Sequence, residues 1–244
     1  MDRAFDRYAE HYARGGNTAP DYALVARDPR RFRVLAPWLP EDRNTPILDI
    51  GCGWGNLLLG LWASGYHNLT GVELSKEQYD VARASLPKEI RLFHADAGEF
   101  LKSPAERFRL VIMFDVIEHM QKAVALDLLR SVFHAMEPPG SVVIRTANLA
   151  NLAATYIRYI DFTHEVGYTE WSLFQLLDIA GFTDHRVIGP TTDLRWWRWY
   201  APWRGFGLRE RVVTFLQGMI YRAVGLRPLP SALGLILTVQ SFRR

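Results

Sequence analysis

Three carboxylates in the first hundred residues each close an apolar run. Asp49 lies in 46-PILDIGCGWGN-56, Glu73 in 68-NLTGVEL-74 and Asp96 in 90-IRLFHAD-96. Directly after the first come Gly51, Gly53 and Gly55, each separated by one residue. Glycines let a backbone take φ > 0 and pass close to a ligand. A dinucleotide turn reads GxGxxG, with its third glycine packing helix on strand. Here the spacing is GxGxG, and no GxxxxGK phosphate loop occurs. An acid just before Gly51 would repel pyrophosphate and could face an ammonium group instead. Glu73, 22 residues after Gly51, is placed to accept from ribose hydroxyls. Asp96 could accept from an adenine amino group. Together the three outline a ligand with a cation, a ribose and a purine. The plainer readings are local caps: Asp49 on its turn, Glu73 on the helix at Ser75, Asp96 as an ordinary strand-end acid.

Two histidines supply a second chemistry. His119 lies in 115-DVIEHM-120 and His164 in 160-IDFTHEVGYT-169. An imidazole titrates near neutrality, which suits taking a proton from a hydroxyl. Asp161, three residues before His164, could orient that ring. The alternatives are that the Glu118-His119 pair shapes a pocket, and that His164 is satisfied by local backbone. Cys52 is the only cysteine. It has no base partner in the sequence and reads as a small packed residue. It forms no intramolecular disulfide and supports no thiolate metal site, so a reducing compartment fits. No metal ligand set is read from the sequence.

Alternating strands and helices must carry these groups. The strands expected are 46–51, 68–74, 90–96, 109–116, 141–148, 184–189 and 233–242. Several are near-continuous apolar runs, as in strands covered on both faces. Helices are expected at Trp54–Ala63, Ser75–Leu86, Lys122–Met136 and Thr169–Ala180. Ser75 and Thr169 are suited to N-caps and Gly181 to a C-terminal stop. The pattern predicts an α/β fold with a mostly parallel sheet and helices on both faces.

These motifs resemble the class I S-adenosylmethionine-dependent methyltransferases. The resemblance rests on 48-LDIGCGWGN-56, 71-GVELS-75, 94-HADAGEF-100, 114-FDVIEHM-120 and 138-PPGSVVIRTAN-148. No single motif is specific; five in this order are. It runs from about Phe5 to Ile188 and is nearest to the small-molecule subgroup with the ubiquinone and menaquinone methylases. It implies a Rossmann-like sheet of seven strands, the last antiparallel between the fifth and sixth. It implies S-adenosylmethionine as cofactor. Asp49 and the glycine turn, with Cys52 and Asn56, would meet the methionine part. Glu73 and Leu74 would meet the ribose, Asp96 and Ala97 the adenine. Asp115 and Val116 would lie beside the methyl end, with Glu118 toward the acceptor. The helix at 5-FDRYAEHYARG-15 is similar to one that closes over the cofactor, so Tyr8 and Tyr12 line the site or pack on the sheet. After the fourth strand stands FDVI, not an Asn/Asp-Pro-Pro-aromatic motif, and no Pro-Cys occurs. Nucleobase nitrogens and pyrimidine carbons are therefore disfavoured, and an oxygen acceptor is expected, with carbon next.

Charge separates the chain into an acidic body and a basic tail. Of a net +3, residues 191–244 hold nine arginines against Asp193 and Glu210, which leaves −4 for the rest. The run 194-LRWWRWYAPWRGFGLRERVV-213 and the amphipathic 208-LRERVVTFLQGMIYRAVG-225 read three ways. Trp196 and Trp197 wall the acceptor site, residues 194–225 lie on an anionic membrane, or they form a dimer contact. No nucleic-acid module is present. The expectation is a single domain, 1–244. It has a helical cap (1–40), a cofactor-binding core (41–190), an aromatic and arginine-rich insertion (191–230) and a final strand (231–244). Its acceptor is a hydroxyl of a small molecule, a glycan or a lipid-linked compound. The rivals are C-methylation of a quinone-like lipid and a non-catalytic cofactor-binding scaffold. The N-terminus lacks an apolar leader and no run is long enough to span a bilayer, which predicts a cytoplasmic protein, with the inner membrane face as its second location.

Overall fold

A computed structural model describes residues 19–27, 37–102, 107–188, 208–225, 230, 233 and 236–244. Tyr8, Tyr12, Trp196 and Trp197 lie outside these residues, as do most of the expected N-terminal helices. A short helix α1 spans Tyr22–Arg27. Then follow β1 (Ile47–Ile50), α2 (Asn56–Ala63), β2 (Leu69–Glu73), α3 (Lys76–Ser85), β3 (Arg91–His94) and α4 (Ala97–Leu101). The chain continues through β4 (Phe108–Phe114), a 3-10 turn (Ile117–His119), α5 (Lys122–Ala135), β5 (Met136–Ala147), α6 (Ala154–Tyr159), α7 (Glu170–Ala180) and β6 (Thr183–Ile188). It ends with α8 (Leu208–Ala223) and β7 (Ile236–Arg243).

The strands form one seven-stranded sheet in the order β3-β2-β1-β4-β5-β7-β6. β1 pairs in parallel with β2 and β4, and β4 with β5. β7 is antiparallel to both β5 and β6, in the place the resemblance implied. Period-two alternation divides the core. Leu48, Ile50, Val111, Met113, Val142 and Ile144 pack under α5 and α7. Ile47, Leu110, Ile112 and Val143 pack under α2 with Val25 and Trp38. Near-continuous apolar runs in the central strands are what two covered faces require.

Local chemistry sets the helix ends. The Ser75 hydroxyl accepts from Gln78 N at the start of α3. Thr169 and Ser172 form a reciprocal capping box on α7, which stops at Gly181 with φ 103. Several elements depart from the sequence reading, among them β5, which begins at Met136 and not at 141. α2 begins at Asn56, two residues late, because Gly55 holds a left-handed φ of 79. α4 is one turn built on the Asp96 cap. α6 lies where no helix was expected, since six residues carry too little periodicity to read.

Candidate active site

The strand order reverses between β1 and β4, and in such sheets ligands bind beyond the carboxyl ends of the strands at that point. The two loops there touch. A Cβ on Gly51, where φ is +69, would meet Val116 Cγ2 at 2.4 Å. Among the described residues a Cβ on Gly53 would meet nothing nearer than Gln78 Oε1 at 3.8 Å, so the turn opens outward from them there. Tyr22 of α1 donates its hydroxyl to Trp54 O at 2.8 Å and holds the turn from above.

Glu73 is buried, and both its oxygens serve the backbone. Gly53 N donates to Oε2 at 2.8 Å and Ser75 N to Oε1 at 2.7 Å. Burial raises its pKa against these stabilising amides. The acid thus fixes the glycine turn to β2, whatever else it meets. Asp49 is buried to 2% exposure on the neighbouring strand. Burial first and the Glu73 charge second, against the pull of Arg145, push its carboxyl up to about 8. Cys52 is also buried, and burial with the Asp49 and Glu73 charges drives its thiol well upward, so it is no thiolate. Asn56 Oδ1 is buried without a hydrogen-bond partner. Leu74 is exposed after Glu73, with its carbonyl 3.1 Å from His94 Nε2. Asp96 is exposed and its Oδ1 accepts from Glu99 N at 3.0 Å, so it caps α4, with Ala97 opening that helix.

Asp115 follows β4 with a φ of 57, uncommon outside glycine. Arg145 of β5 grips it: Nε donates to Oδ1 at 3.1 Å and Nη2 pairs with Oδ2. The same guanidinium lies 4.4 Å over the Phe114 ring. The sequence reading passed over Arg145, although an arginine inside 141-SVVIRTAN-148 was the available signal.

Glu118, in the 3-10 turn, is buried at 3% exposure. Burial and the Asp115 charge push it up to about 7. Hydrogen bonds to Thr146 and the Ala147 backbone work against that rise, and Tyr168 OH is buried without a hydrogen-bond partner among the described residues. Burial, then the Glu118 charge, pushes Tyr168 up to about 12. The Glu118 carbonyl accepts from Glu165 N at 2.8 Å and Val166 N at 3.0 Å, which straps the loop of His164 to the turn of His119.

That strap brings the histidines together. Their ring centroids are 4.8 Å apart. His119 Nδ1 is 2.8 Å from Thr163 Oγ1, which gives its own proton to Asp161 Oδ1 at 2.7 Å. With that proton spent, His119 Nδ1 is the donor and Nε2 carries the lone pair. His164 Nδ1 lies 3.2 Å from Ile157 O, which can only accept, so its lone pair is also on Nε2. Burial, then the facing His164, lowers the His119 pKa, against Asp161, Thr163 and Asp115. Against the upward push of burial, the Thr163 bonds and the two imidazoles hold Asp161 below its ordinary value. The ligand atoms of His119, Asp161 and His164 all lie within 4.8 Å of one another, a donor set that also suits a divalent cation. Thr163 already bridges two of the three, which suits proton transfer.

Residues 22–187 match a family model described as a methyltransferase domain. The ubiquinone biosynthesis O-methyltransferase of Aromatoleum aromaticum is 32% identical over 131 residues, covering 48% of this chain and 55% of that protein. Sphingolipid C9-methyltransferase 1 of Gibberella zeae is 25% identical over 191 residues, covering 72% of this chain and 37% of that one. The chain thus spans about half, or less, of the length of these two relatives. A solved S-adenosylmethionine-dependent methyltransferase from Archaeoglobus fulgidus covers both chains fully, with a TM-score of 0.64 at 19% identity.

Proposed function

This chain belongs to the class I S-adenosylmethionine-dependent methyltransferases, and on that premise we propose that it transfers the methyl group to oxygen. The residues present fit the cofactor. An outward-opening glycine turn, three acids on successive strands and an orphaned Asn56 Oδ1 would accept a cationic amino-acid nucleoside. Asp49 and Asn56 would meet its amino-acid end, Glu73 and Leu74 its ribose, Asp96 and Ala97 its adenine. When bound, it supplies a methyl group on a sulfonium, already activated for displacement.

The chain's own work is then to align an acceptor and remove its proton. The observation that carries an oxygen acceptor is the pair of facing imidazoles, each with its Nδ1 engaged by a neighbouring oxygen, at the rim beside Asp115. His119, depressed by burial, is a neutral base at physiological pH. With the methyl donor and an acceptor bound, the imidazole would take the proton that the acceptor hydroxyl gives up on methylation. Asp161, through Thr163, stabilises the imidazolium that forms. Tyr168 would offer the acceptor a polar atom that has no partner among the described residues, beside the Glu118 carboxylate.

The acceptor is a hydroxyl on a small molecule, a glycan or a lipid-linked compound, and the last would be met at the inner face of a membrane. The similarity to a ubiquinone-pathway O-methyltransferase supports oxygen. The similarity to a sphingolipid C9-methyltransferase keeps carbon as the second reading. Labelled methyl transfer from S-adenosylmethionine into a cell-envelope lipid extract, followed by hydroiodic acid, separates them. Methyl ethers release the label as volatile methyl iodide. Label that stays on the carbon skeleton would sink the oxygen reading.

A further inference from the structure

Helix α8 lies beyond the stretch 22–187 that matches the family, and it is inside out. It buries polar residues: Thr214 is 3% exposed and Gln217 5%. Gln217 Oε1 accepts from Leu152 N at 3.0 Å, and Tyr221 donates its hydroxyl to Ala150 O at 2.7 Å. Residues 214, 217, 218 and 221 recur at helical spacing, so this is one face. The opposite stripe, Val212, Val213, Leu216, Met219, Ile220 and Val224, is exposed. A helix on a water-facing surface shows the reverse arrangement. The segment it is bonded to continues the pattern. Tyr156, Tyr159 and Ile160 are exposed, and Phe162 is 96% exposed. Phe162 stands between Asp161 and Thr163, on the loop that faces His119.

We propose that this apolar stripe docks α8 flat on an anionic lipid bilayer, with the Phe162 loop beside it. Charge decides the occupant. Residues 191–244 carry +7 against −4 on the rest, and Arg222 closes the helix. Anionic headgroups complement the basic charge of this part of the sequence, whereas a second copy would add its own basic segment to the first. Aliphatic side chains flanked by tyrosines and a phenylalanine suit the headgroup–acyl boundary. The contact is in-plane, since no described helix is long and apolar enough to cross a membrane. Docking would bring the His119–His164 rim to lipid-borne acceptors, but the contact itself is independent of methyl transfer.

The test is co-sedimentation of the full chain with vesicles of phosphatidylcholine, with and without phosphatidylglycerol. Wild type should pellet with the anionic vesicles and not with the neutral ones. The Leu216→Glu/Ile220→Glu double variant should partition about tenfold less or weaker still, because two carboxylates replace side chains meant for the boundary. Both changed positions are exposed, so circular dichroism and S-adenosylmethionine affinity should match wild type and exclude misfolding. Equal pelleting of variant and wild type overturns the proposal. So does a wild type that ignores anionic vesicles, or one that sediments in solution as a dimer which the double variant dissociates. None of these outcomes bears on the oxygen-transfer reading, which the hydroiodic acid assay decides.

Discussion

Asp49→Asn should abolish a rise in cofactor affinity that the wild type shows between about pH 6 and about pH 8. Burial, then the Glu73 charge, against Arg145, lifts this carboxyl from 3.8 to about 8. The free protein therefore holds Asp49 largely protonated at neutral pH. A cofactor bearing an ammonium and a sulfonium favours the ionised form, so its binding must expel that proton. Each pH unit below the carboxyl's value costs ~1.4 kcal/mol, a factor of ten in Kd. Kd should tighten roughly a hundredfold over the two units below it. The ligand's own α-amino group, ordinarily near ~8, loses charge above that and bends the curve over, in wild type and variant alike. Isothermal calorimetry in two buffers of different protonation enthalpy reads the linkage directly. The wild type should release close to one proton at about pH 6–7 and the variant close to none. The apoprotein gives a second readout. A folded-state value raised above 3.8 lends stability that is fully present below about pH 4 and lost as pH rises through about 8. Asparagine removes that loss, so the variant's apo Tm should overtake the wild type's increasingly toward alkaline pH. A wild-type Kd that is flat over this range, or a variant that keeps the slope, refutes the argument.

Glu73→Gln leaves one oxygen for two backbone donors, Gly53 N and Ser75 N. An unpaired buried amide costs ~1–3 kcal/mol, so thermal unfolding should drop by several degrees and cofactor affinity should fall with it. Gly51→Ala meets Val116 at 2.4 Å on top of a left-handed backbone, whereas Gly53→Ala meets only the backbone penalty of ~1–2 kcal/mol. Calorimetric Tm should therefore fall further for the first; the opposite order would show that the β1–β4 loop contact is soft. His164→Gln removes the imidazole that helps hold His119 down, so the acid limb of kcat at saturating cofactor should move to higher pH. An unmoved limb would mean that His119 is not the titrating base.

The central strands were legible because they are buried on both faces and so are near-continuously apolar, as at Leu110–Met113 and Val142–Ile144, whereas β3 is exposed at Arg91, Phe93 and His94. Their order was legible only through the resemblance, since parallel neighbours such as β1 and β4 are sixty residues apart and share no local signal. Caps were read wherever the residue type has one strong local use, as at Ser75, Thr169 and Gly181. The same locality ran out at α8. Its apolar spacing was plain in 208-LRERVVTFLQGMIYRAVG-225, but periodicity says that a stripe exists and not which way it faces. Gln217 and Tyr221 decide that, through bonds to residues 150–152 some seventy positions away.

The site divides along the same line. Asp49, Glu73, Asp96 and Asp115 stand at strand ends, where topology alone puts them on one edge of the sheet, so sequence could find them. What each acid does there depends on partners that no spacing reveals. Glu73 gives one oxygen to the glycine turn, a tie no spacing revealed, and the other to Ser75 N, as the local-cap reading had it. Asp115 is held by an arginine from the next strand. Thr163 was quoted within 160-IDFTHEVGYT-169 without a role, yet its single hydroxyl proton decides which nitrogen of His119 can act as a base. Removing it by Thr163→Val would keep the shape and break the relay. His119 could then take either tautomer, and Asp161 would lose the hydroxyl bond while keeping the one from the residue 163 backbone amide. Turnover should fall while cofactor affinity stays constant, and Thr163→Ser should restore the rate. A valine variant as fast as wild type would show that the histidines bind the acceptor and leave its proton to solvent.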